Sequence, residues 1–225
     1  MILKRISLSD SRIRLFQNKE NLRIVETLNF ALLHSTGSYI ARMDGDDISL
    51  PNRIEKQLQF LKDFPEYDLV GSNTITIGEN GDELGRTKML SNENLINKTL
   101  LLSSPVLHIW LAKKEVYIKL KGYRIPTVED YDFLLRMKTL GLRFTNIDEY
   151  LYKVRIRQGN TVTSNGLVQR RSFNYIRKLY NERLKSKTDS YSEKDLDKLV
   201  STCKLNKDMY KFSALLMNQA VNSKQ

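Results

Sequence analysis

The sequence predicts an α/β fold, because apolar strand-like segments and amphipathic helix-like segments alternate along most of its 225 residues. The clearest strand, Ser38–Ala41, is followed almost at once by Asp44, Asp46 and Asp47. Carboxylates at the carboxyl end of a strand lie where open α/β sheets bind their ligands. A second acidic cluster, Glu129–Asp132, begins the best helix of the chain. Together these observations predict a ligand site at the end of the sheet.

The composition is that of a soluble globular protein, with 40% hydrophobic and 28% charged residues. No apolar run approaches the roughly 18 residues of a membrane-spanning helix, and the N-terminus lacks a signal-peptide pattern. The single cysteine, Cys203, cannot form an internal disulfide, so a cytoplasmic location is expected. The net charge is +11, and residues 166–225 carry 13 Lys/Arg against 6 Asp/Glu. Such a basic segment suits an anionic membrane surface, nucleic acid or an acidic substrate.

Periodicity and capping residues predict the elements of the first half. In order, they are a strand at Arg12–Phe16, a helix from Asn21 to about Ser35, the strand at Tyr39, a helix from Pro51 that ends before Pro65, a strand at Tyr67–Ser72, and a hairpin across Thr74–Arg86. The hairpin is predicted from the turn Glu79–Asp82 between two strand-like segments.

The second half is predicted to begin with mixed elements and to end in helices. In order, they are a helix at Ser91–Leu102, an extended segment at Pro105–Leu111, a short helix at Lys113–Leu120, a helix at Thr127–Leu140, strands at Leu142–Ile147 and Tyr150–Arg157, a polar loop at Gln158–Gly166, and helices at Leu167–Leu184, Ser192–Cys203 and Asp208–Val221. The change to a basic, helical composition predicts an α/β domain at residues 1–165 and a helical C-terminal extension at residues 166–225.

The first acidic cluster predicts a site for a divalent cation and a phosphate-bearing substrate. Carboxylates suit Mg²⁺ or Mn²⁺, and proteins usually hold such ions by one or two carboxylates together with substrate phosphates. A simpler interpretation is that the charges complement the dipole of the next helix, although one carboxylate would suffice. A calcium loop is excluded, since Ile48 replaces an oxygen ligand and Pro51 interrupts the loop.

The second acidic cluster predicts one functional carboxylate. At about 100° per residue, Asp130 lies within the apolar stripe of its helix, Glu129 at the edge of the stripe and Asp132 on the far side. The stripe is formed by Phe133, Leu134, Met137 and Leu140. A carboxylate directed toward the interior costs free energy unless it is paired, which favours a role as general base or ligand. Complementation of the helix dipole is the alternative.

The two clusters, in this order and context, resemble the family 2 glycosyltransferases with the GT-A fold. The resemblance covers roughly residues 12–163. The segments that carry it are Asn29–Leu32, Gly37–Arg53, Gly71–Ser72, Pro105 with His108, Gly122–Tyr123, Glu129–Asp132 and Tyr152–Arg155. It implies a GT-A-like sheet between two helical layers, an α/β/α arrangement.

The resemblance also implies roles for individual residues. Asp44-Gly45-Asp46 matches the DXD motif, in which Asp46 would contact the Mg²⁺ or Mn²⁺ that bridges the diphosphate of a nucleotide sugar. Asp44 would hold the nucleotide side and contribute to the metal site, and Asp130 would deprotonate the acceptor hydroxyl. Further residues at positions expected to bind substrate are His108, Glu129 and Arg155.

One expected part of the family pattern does not precede Arg12. Family members begin with a strand, a helix and a second strand, which hold the nucleotide, and residues 1–11 are too few for them. The Tyr39 strand is therefore expected to present an unpaired apolar edge. Two explanations stay open: an N-terminally truncated gene product, or strands supplied by another chain, which would make the protein an oligomer.

The implied function is inverting transfer of a sugar from a nucleotide-diphosphate sugar to a hydroxyl acceptor, saccharide or lipid-linked, in cell-envelope or surface polysaccharide synthesis. A catalytically inactive remnant of such an enzyme is the first alternative. A nucleic-acid-binding protein is a weaker one, because no groove-reading motif accompanies the positive charge. The basic extension suits peripheral contact with an anionic membrane from its cytoplasmic face.

Overall fold

The computed structural model describes residues 2–157 and 161–200, with side chains described at 2–157 and 166–199. The helices in these ranges are α1 (Ile2–Ser9), α2 (Arg23–His34), α3 (Arg53–Asp63), α4 (Glu93–Thr99), α5 (Lys114–Leu120), α6 (Glu129–Thr139), α7 (Thr161–Ser186) and α8 (Glu193–Val200). The strands are β1 (Tyr39–Ala41), β2 (Ile48–Ser49), β3 (Leu69–Ile77), β4 (Glu83–Thr87), β5 (Leu111–Lys113) and β6 (Phe144–Arg155). The predicted helix Asp208–Val221 lies outside the described residues.

The six strands form one mixed sheet in the order β1-β5-β3-β6-β2, with β4 paired to β3. Its centre is the parallel pair β3–β6, in register from Leu69 opposite Phe144 to Ile77 opposite Arg155. The other pairings are antiparallel. The α/β fold class is thereby confirmed. Because β1 and β2 are the outermost strands of this order, residues 42–47 connect the two ends of the sheet, and they carry the first acidic cluster.

The predicted hairpin is confirmed, since β3 and β4 pair antiparallel across residues 78–82. The prediction of two separate strands at 142–147 and 150–157 was wrong, because β6 runs continuously through both. Its register against β3 shifts between Ser72 and Thr74, where Asp148, Glu149 and Leu151 have no partner on β3. Such an irregularity bends a strand without ending it, which a sequence pattern of period two does not reveal.

The main core is built around α6, which is buried on nearly all sides. Trp110 stacks on Phe133 with ring centroids 5.6 Å apart, and the Trp110 indole N–H donates to the Tyr117 hydroxyl at 2.8 Å. Ile176 and Leu179 of α7 belong to the same buried cluster. Each fully buried side chain of this size stabilises the fold by about 2–3 kcal/mol, so the core fixes the position of α6 firmly.

The N-terminal prediction was wrong, because residues 12–16 form no strand and residues 2–9 form helix α1. A strand needs a neighbour to receive its backbone hydrogen bonds, and none lies beside this segment in the described residues. Instead, the Phe16 ring packs on Phe30 and His34 of α2, at centroid distances of 5.9 and 4.4 Å. None of the eight residues of α1 is buried.

The predicted loop Gln158–Gly166 is replaced from Thr161 onward by the first turns of α7, while residues 158–160 lie outside the described chain. The segment is rich in weak helix formers, so a loop was the expectation from propensity. Packing of the later part of α7 on α6 outweighs that preference. The predicted domain boundary at 165/166 thus falls inside α7, and the described part of the extension shares the main core.

The strand that carries the acidic loop lies at an end of the sheet. In the described residues β1 pairs with β5 alone, with Tyr39 opposite Lys113 and Ala41 opposite Leu111. Its other side faces no strand there, in agreement with the open edge expected from the sequence. Of its three residues, two are half-buried and Ala41 is exposed.

Candidate active site

The acidic loop after β1 is held by contacts to β6. The Asp44 N–H donates to the Tyr152 hydroxyl at 3.2 Å. The Arg155 N–H donates to Asp47 Oδ1 at 2.8 Å, and Arg155 Nε donates to the carbonyl of Asp46 at 2.8 Å. These contacts use the backbone of Asp44 and Asp46 and leave both carboxylates available for other partners.

Arg155 was predicted to bind substrate, and the structure places it beside the acidic loop. Besides the carbonyl of Asp46, it contacts the carbonyls of Gly78 and Glu79, to which its Nη1 donates at 2.9 and 2.8 Å. A guanidinium shared among three backbone carbonyls ties the loop to the turn between β3 and β4. A contact between Arg155 and substrate stays a prediction.

The second acidic cluster occupies the first turn of α6. Asp130 Oδ1 accepts a hydrogen bond from the Tyr131 N–H at 2.8 Å, and the Asp130 side chain is 22% exposed. Glu129 is buried, and its Oε1 accepts from Arg42 Nη1 at 3.1 Å. Because Arg42 precedes the acidic loop by only two residues, this ion pair brings the two clusters together across 87 residues of sequence.

His108 lies between the two clusters. Its Nε2 is 3.0 Å from Asp44 Oδ2, and its Nδ1 is 3.7 Å from Asp130 Oδ2. The imidazole therefore bridges the carboxylate predicted to hold the nucleotide and the carboxylate predicted to act as base. The sequence singled out all three residues, and the structure brings them to one cleft.

Arg42 is the central residue that the sequence analysis missed. It is 9% exposed, pairs with Glu129, and has its Nε 3.6 Å from Asp44 Oδ1. That Nε is buried and makes no hydrogen bond within the described residues, so it is a donor suited to an anionic group. The available signal was a cationic residue just after the strand, two positions before the first of three carboxylates.

Asp132 is buried, which corrects its predicted place on the far side of α6. Its carboxylate is 0% exposed and accepts from Arg124 Nη2 and Arg136 Nε, both at 2.8 Å. The prediction assumed a helix with one buried face, whereas α7 and the segment around Arg124 cover the opposite face. A carboxylate enclosed by two arginines is structural in character.

Burial and neighbouring charges set the ionisation of the site. Burial lowers the pKa of His108, but contacts with Asp130 and Asp44 outweigh it and raise the pKa to about 9. Hydrogen bonding to His108 lowers the pKa of Asp44. Burial disfavours ionised Asp130, yet His108 and Arg42 leave its pKa below the ordinary value. Burial, with the Asp130 charge, raises the pKa of Glu129. At neutral pH His108 is cationic while Asp44 and Asp130 are ionised.

The residues present fit a divalent cation that is shared with a ligand. No group of three or more His, Cys, Asp or Glu side chains that could hold a metal occurs in the described residues. Asp44 is engaged by His108 and Arg42, whereas the half-buried Asp46 carboxylate is contacted only by the exposed Arg157 in the described chain. One or two carboxylates completed by phosphate oxygens are the usual donor set for Mg²⁺ and related ions.

A cavity of about 340 Å³ adjoins the cleft on the side of α7. Asp130 and Tyr131 form part of its wall, and the facing wall comes from α7. The other lining residues are Leu102, Ser103, Ser104, Thr127, Val128, Gly166, Gln169, Arg170 and Phe173. Its volume falls at the lower end of the range typical of small-molecule sites, about 300–1,000 Å³.

A mixed α/β sheet with two acidic clusters at its end is the architecture of the GT-A class, and comparison with known structures confirms that fold. The chain matches the mannosyltransferase PcManGT from Pyrobaculum calidifontis, solved in complex with GDP-Man and Mn²⁺, with a TM-score of 0.55 at 15% identity. The match covers 80% of this chain and 50% of that one. The model of the family described as glycosyl transferase family 2 matches residues 1–133, so the chain belongs to that family.

Sequence relatives lead to the same family. The chain is 38% identical to the putative glycosyltransferase EpsE of Bacillus subtilis over 169 residues, which are 73% of this chain and 57% of EpsE. It is 33% identical to the amylovoran biosynthesis glycosyltransferase AmsE of Erwinia amylovora, covering 82% of this chain and 68% of AmsE. It is 35% identical to the O-antigen biosynthesis glycosyltransferase WbnJ of Escherichia coli, covering 72% and 64%. The matches thus span between about half and two thirds of these relatives.

Proposed function

We propose that this chain transfers a sugar from a nucleotide-diphosphate sugar to a hydroxyl acceptor with inversion at the anomeric carbon. The observation that carries the proposal is the bridge from Asp44 through His108 to Asp130. It sets a donor-binding loop and a candidate base on one cleft, as a direct displacement requires.

In the proposed reaction, Asp130 accepts the proton of the acceptor hydroxyl as that oxygen attacks the anomeric carbon. Cationic His108 and Arg42 keep Asp130 ionised, so it is ready to take that proton at neutral pH. The buried Arg42 Nε donates a hydrogen bond to an anionic group of the nucleotide sugar near Asp44. Arg155 keeps the loop in place through its backbone contacts.

Asp46, assisted by Asp44, is the proposed protein ligand of Mg²⁺ or Mn²⁺, with the donor diphosphate supplying further oxygens. When bound, the cation would offset the negative charge that develops on the leaving diphosphate. Glu129 keeps Arg42 in place, and His108 holds Asp44 and Asp130 in position relative to each other. The known structure with GDP-Man and Mn²⁺ supports this arrangement by its fold alone.

The cavity beside Asp130 is the proposed acceptor site. It combines hydroxyl and amide groups for sugar hydroxyls with an aromatic ring, Phe173, for a sugar face. Relatives named for amylovoran and O-antigen biosynthesis support a role in cell-envelope or surface polysaccharide synthesis, with a saccharide or lipid-linked acceptor.

The activity is tested by incubating the full chain with GDP-mannose or UDP-glucose and Mn²⁺ and measuring release of the nucleoside diphosphate. We expect Asp130→Asn to lower the rate by about 10²–10⁴-fold, the usual contribution of a general base. Asp46→Asn should abolish heat of binding for UDP or GDP with Mn²⁺ in calorimetry. Product NMR reads out the anomeric configuration, and retention would contradict inversion.

An inactive remnant makes the opposite prediction. A folded chain that gives no heat with UDP or GDP and Mn²⁺, and releases no nucleoside diphosphate, would establish it. The cluster of opposite charges around buried Arg42 and half-buried His108 and Asp130 favours the enzyme, because a chain without function has no need to maintain charges that are costly to withdraw from water.

We further propose that the chain acts in the cytoplasm and contacts an anionic membrane through its basic C-terminal extension. In the described part of the chain, no helix is both long and apolar enough to cross a membrane. Flotation with anionic liposomes tests this contact, and protein that stays in the bottom fraction would contradict it. We also propose that the open edge of β1 is completed by a second copy of the chain. Light scattering tests this homo-oligomer, and a monomeric mass would contradict it. We do not propose nucleic-acid binding. DNA binding with a steep salt dependence would support that alternative instead.

A further inference from the structure

Arg157 lies on the carboxylate that is the proposed metal ligand. Its Nη2 is 2.5 Å from Asp46 Oδ2, with the Arg157 side chain 58% exposed and the Asp46 side chain 32% exposed. Within the described residues, no other side chain pairs with or donates to this carboxylate. A guanidinium and a divalent cation would therefore meet at the same oxygen.

This contact differs in kind from that of Arg155, two residues earlier. Arg155 donates to three backbone carbonyls and is part of the loop's structure. Arg157 makes an exposed ion pair, and such pairs contribute only about 0–1 kcal/mol to stability. Arg157 can therefore leave Asp46 at little cost in folding free energy, whereas Arg155 cannot leave its site so easily.

The chemistry of guanidinium indicates where Arg157 goes when it leaves. Its planar fork of N–H donors matches phosphate oxygens in a bidentate geometry. A diphosphate whose metal is held by Asp46 brings such oxygens to the place that Arg157 already reaches. The same side chain is thus suited to weaken binding of the cation when no diphosphate is present. It is also suited to strengthen binding of the cation together with a diphosphate.

We propose that Arg157 neutralises Asp46 in the ligand-free protein and transfers to the donor diphosphate when a divalent cation takes Asp46. The inference rests on the proposed function. It makes Arg157 a donor-positioning residue that disfavours binding of the metal alone and so couples metal binding to donor binding.

The experiment measures two affinities in the full chain, for wild type, Arg157→Gln, Arg157→Lys and Lys153→Gln. Free Mn²⁺ is followed by electron paramagnetic resonance, and UDP and GDP are titrated calorimetrically at saturating Mn²⁺. The Lys153 variant removes one positive charge from β6, where Lys153 stands opposite Ile48. It therefore controls for net charge without touching the Asp46 contact.

Arg157→Gln is expected to bind Mn²⁺ alone about two- to fivefold more tightly, the fold-change that corresponds to losing an exposed ion pair. It should bind the nucleoside diphosphate about tenfold more weakly, as expected for a lost charge-assisted hydrogen bond. Arg157→Lys should recover part of both effects. Lys153→Gln should show neither effect to this extent.

The outcomes separate this inference from the proposed function. If Arg157→Gln bound Mn²⁺ as tightly as the wild type, or more weakly, the inference would be overturned. The proposed function would still stand if the wild type bound nucleotide. Unchanged nucleotide affinity in Arg157→Gln would also overturn the inference. If neither the wild type nor Arg157→Gln bound Mn²⁺ or nucleotide, the inference and the proposed function would be overturned together. If Arg157→Gln bound free Mn²⁺ in the absence of nucleotide and the wild type did not, the inference would be supported in its strongest form.

Discussion

Arg42 and Glu129 form a buried ion pair, with Arg42 Nη1 3.1 Å from Glu129 Oε1, that fastens the residue after β1 to the first turn of α6. Both side chains are less than 10% exposed. The pair is the most direct link between the two acidic clusters, so the geometry of the cleft depends on it. Glu129, predicted from the sequence to bind substrate, here has a partner within the protein.

Breaking this ion pair should destabilise the fold. We expect Arg42→Met to lower the free energy of unfolding by about 3 kcal/mol, because it leaves a buried carboxylate unpaired. The double variant Arg42→Met with Glu129→Met should recover a large part of the loss, since no charge is then left alone. Urea denaturation measures these two variants and the single variant Glu129→Met. A double variant as unstable as the sum of the two single variants would contradict the pairing.

Asp132 should matter for stability and not for chemistry. Its carboxylate is 0% exposed between Arg124 and Arg136. Asp132→Asn should therefore lower the free energy of unfolding by about 3 kcal/mol. The matched control is Asp195→Asn on α8, whose exposed pair with Lys198 should contribute less than about 1 kcal/mol. Equal denaturation midpoints for the two variants would contradict the structural role of Asp132.

The stability of the metal-free protein should fall as the pH rises through 9. The folded-state pKa of His108 is raised from its ordinary 6.5 to about 9 by Asp130 and Asp44, against the effect of burial. The imidazolium therefore contributes stability that is fully present below pH 6.5 and is lost on passing pH 9. The expected loss is at most about 3 kcal/mol. The measurement is urea denaturation at successive pH values in the presence of EDTA.

His108→Gln is the control for this pH dependence, because it keeps a polar side chain at the site and removes the titrating group. The variant should lack the fall in stability between pH 6.5 and 9. The same slope in wild type and variant would show that other groups are responsible.

Two glycines near the sheet should respond differently to alanine. A Cβ at Gly71 of β3 would lie 2.2 Å from Asn146 Oδ1 and 2.5 Å from Val106 Cγ1. We expect Gly71→Ala to lower the free energy of unfolding by about 1–3 kcal/mol, the cost of overpacking. Gly45, in the acidic loop, has nothing within 4 Å of a Cβ, so Gly45→Ala should fold normally. Thermal melts compare the two, and equal melting temperatures would contradict the predicted crowding at Gly71.

The sequence alone was sufficient for the fold class, the family and the residues on which the cleft is centred. Asp44 and Asp46 were singled out because an apolar strand followed by clustered carboxylates is a local pattern, and Asp130 because it falls within the apolar stripe of its helix. His108 was chosen only from the resemblance to the family. The hairpin after β3 was also predictable from a local pattern. The two carboxylate patterns and the hairpin depend on neighbours in sequence, which set local periodicity and turn geometry.

The tertiary structure decided what those residues contact. Arg42 and Glu129 meet across 87 residues, and nothing local in the sequence specifies that pairing. Asp132 was misplaced because α7 covers the second face of α6, and residues 12–16 form no strand because no neighbour receives their hydrogen bonds. Periodicity identifies which face of an element is apolar, but burial and ion pairing depend on what packs against every other face, and only the folded chain determines that.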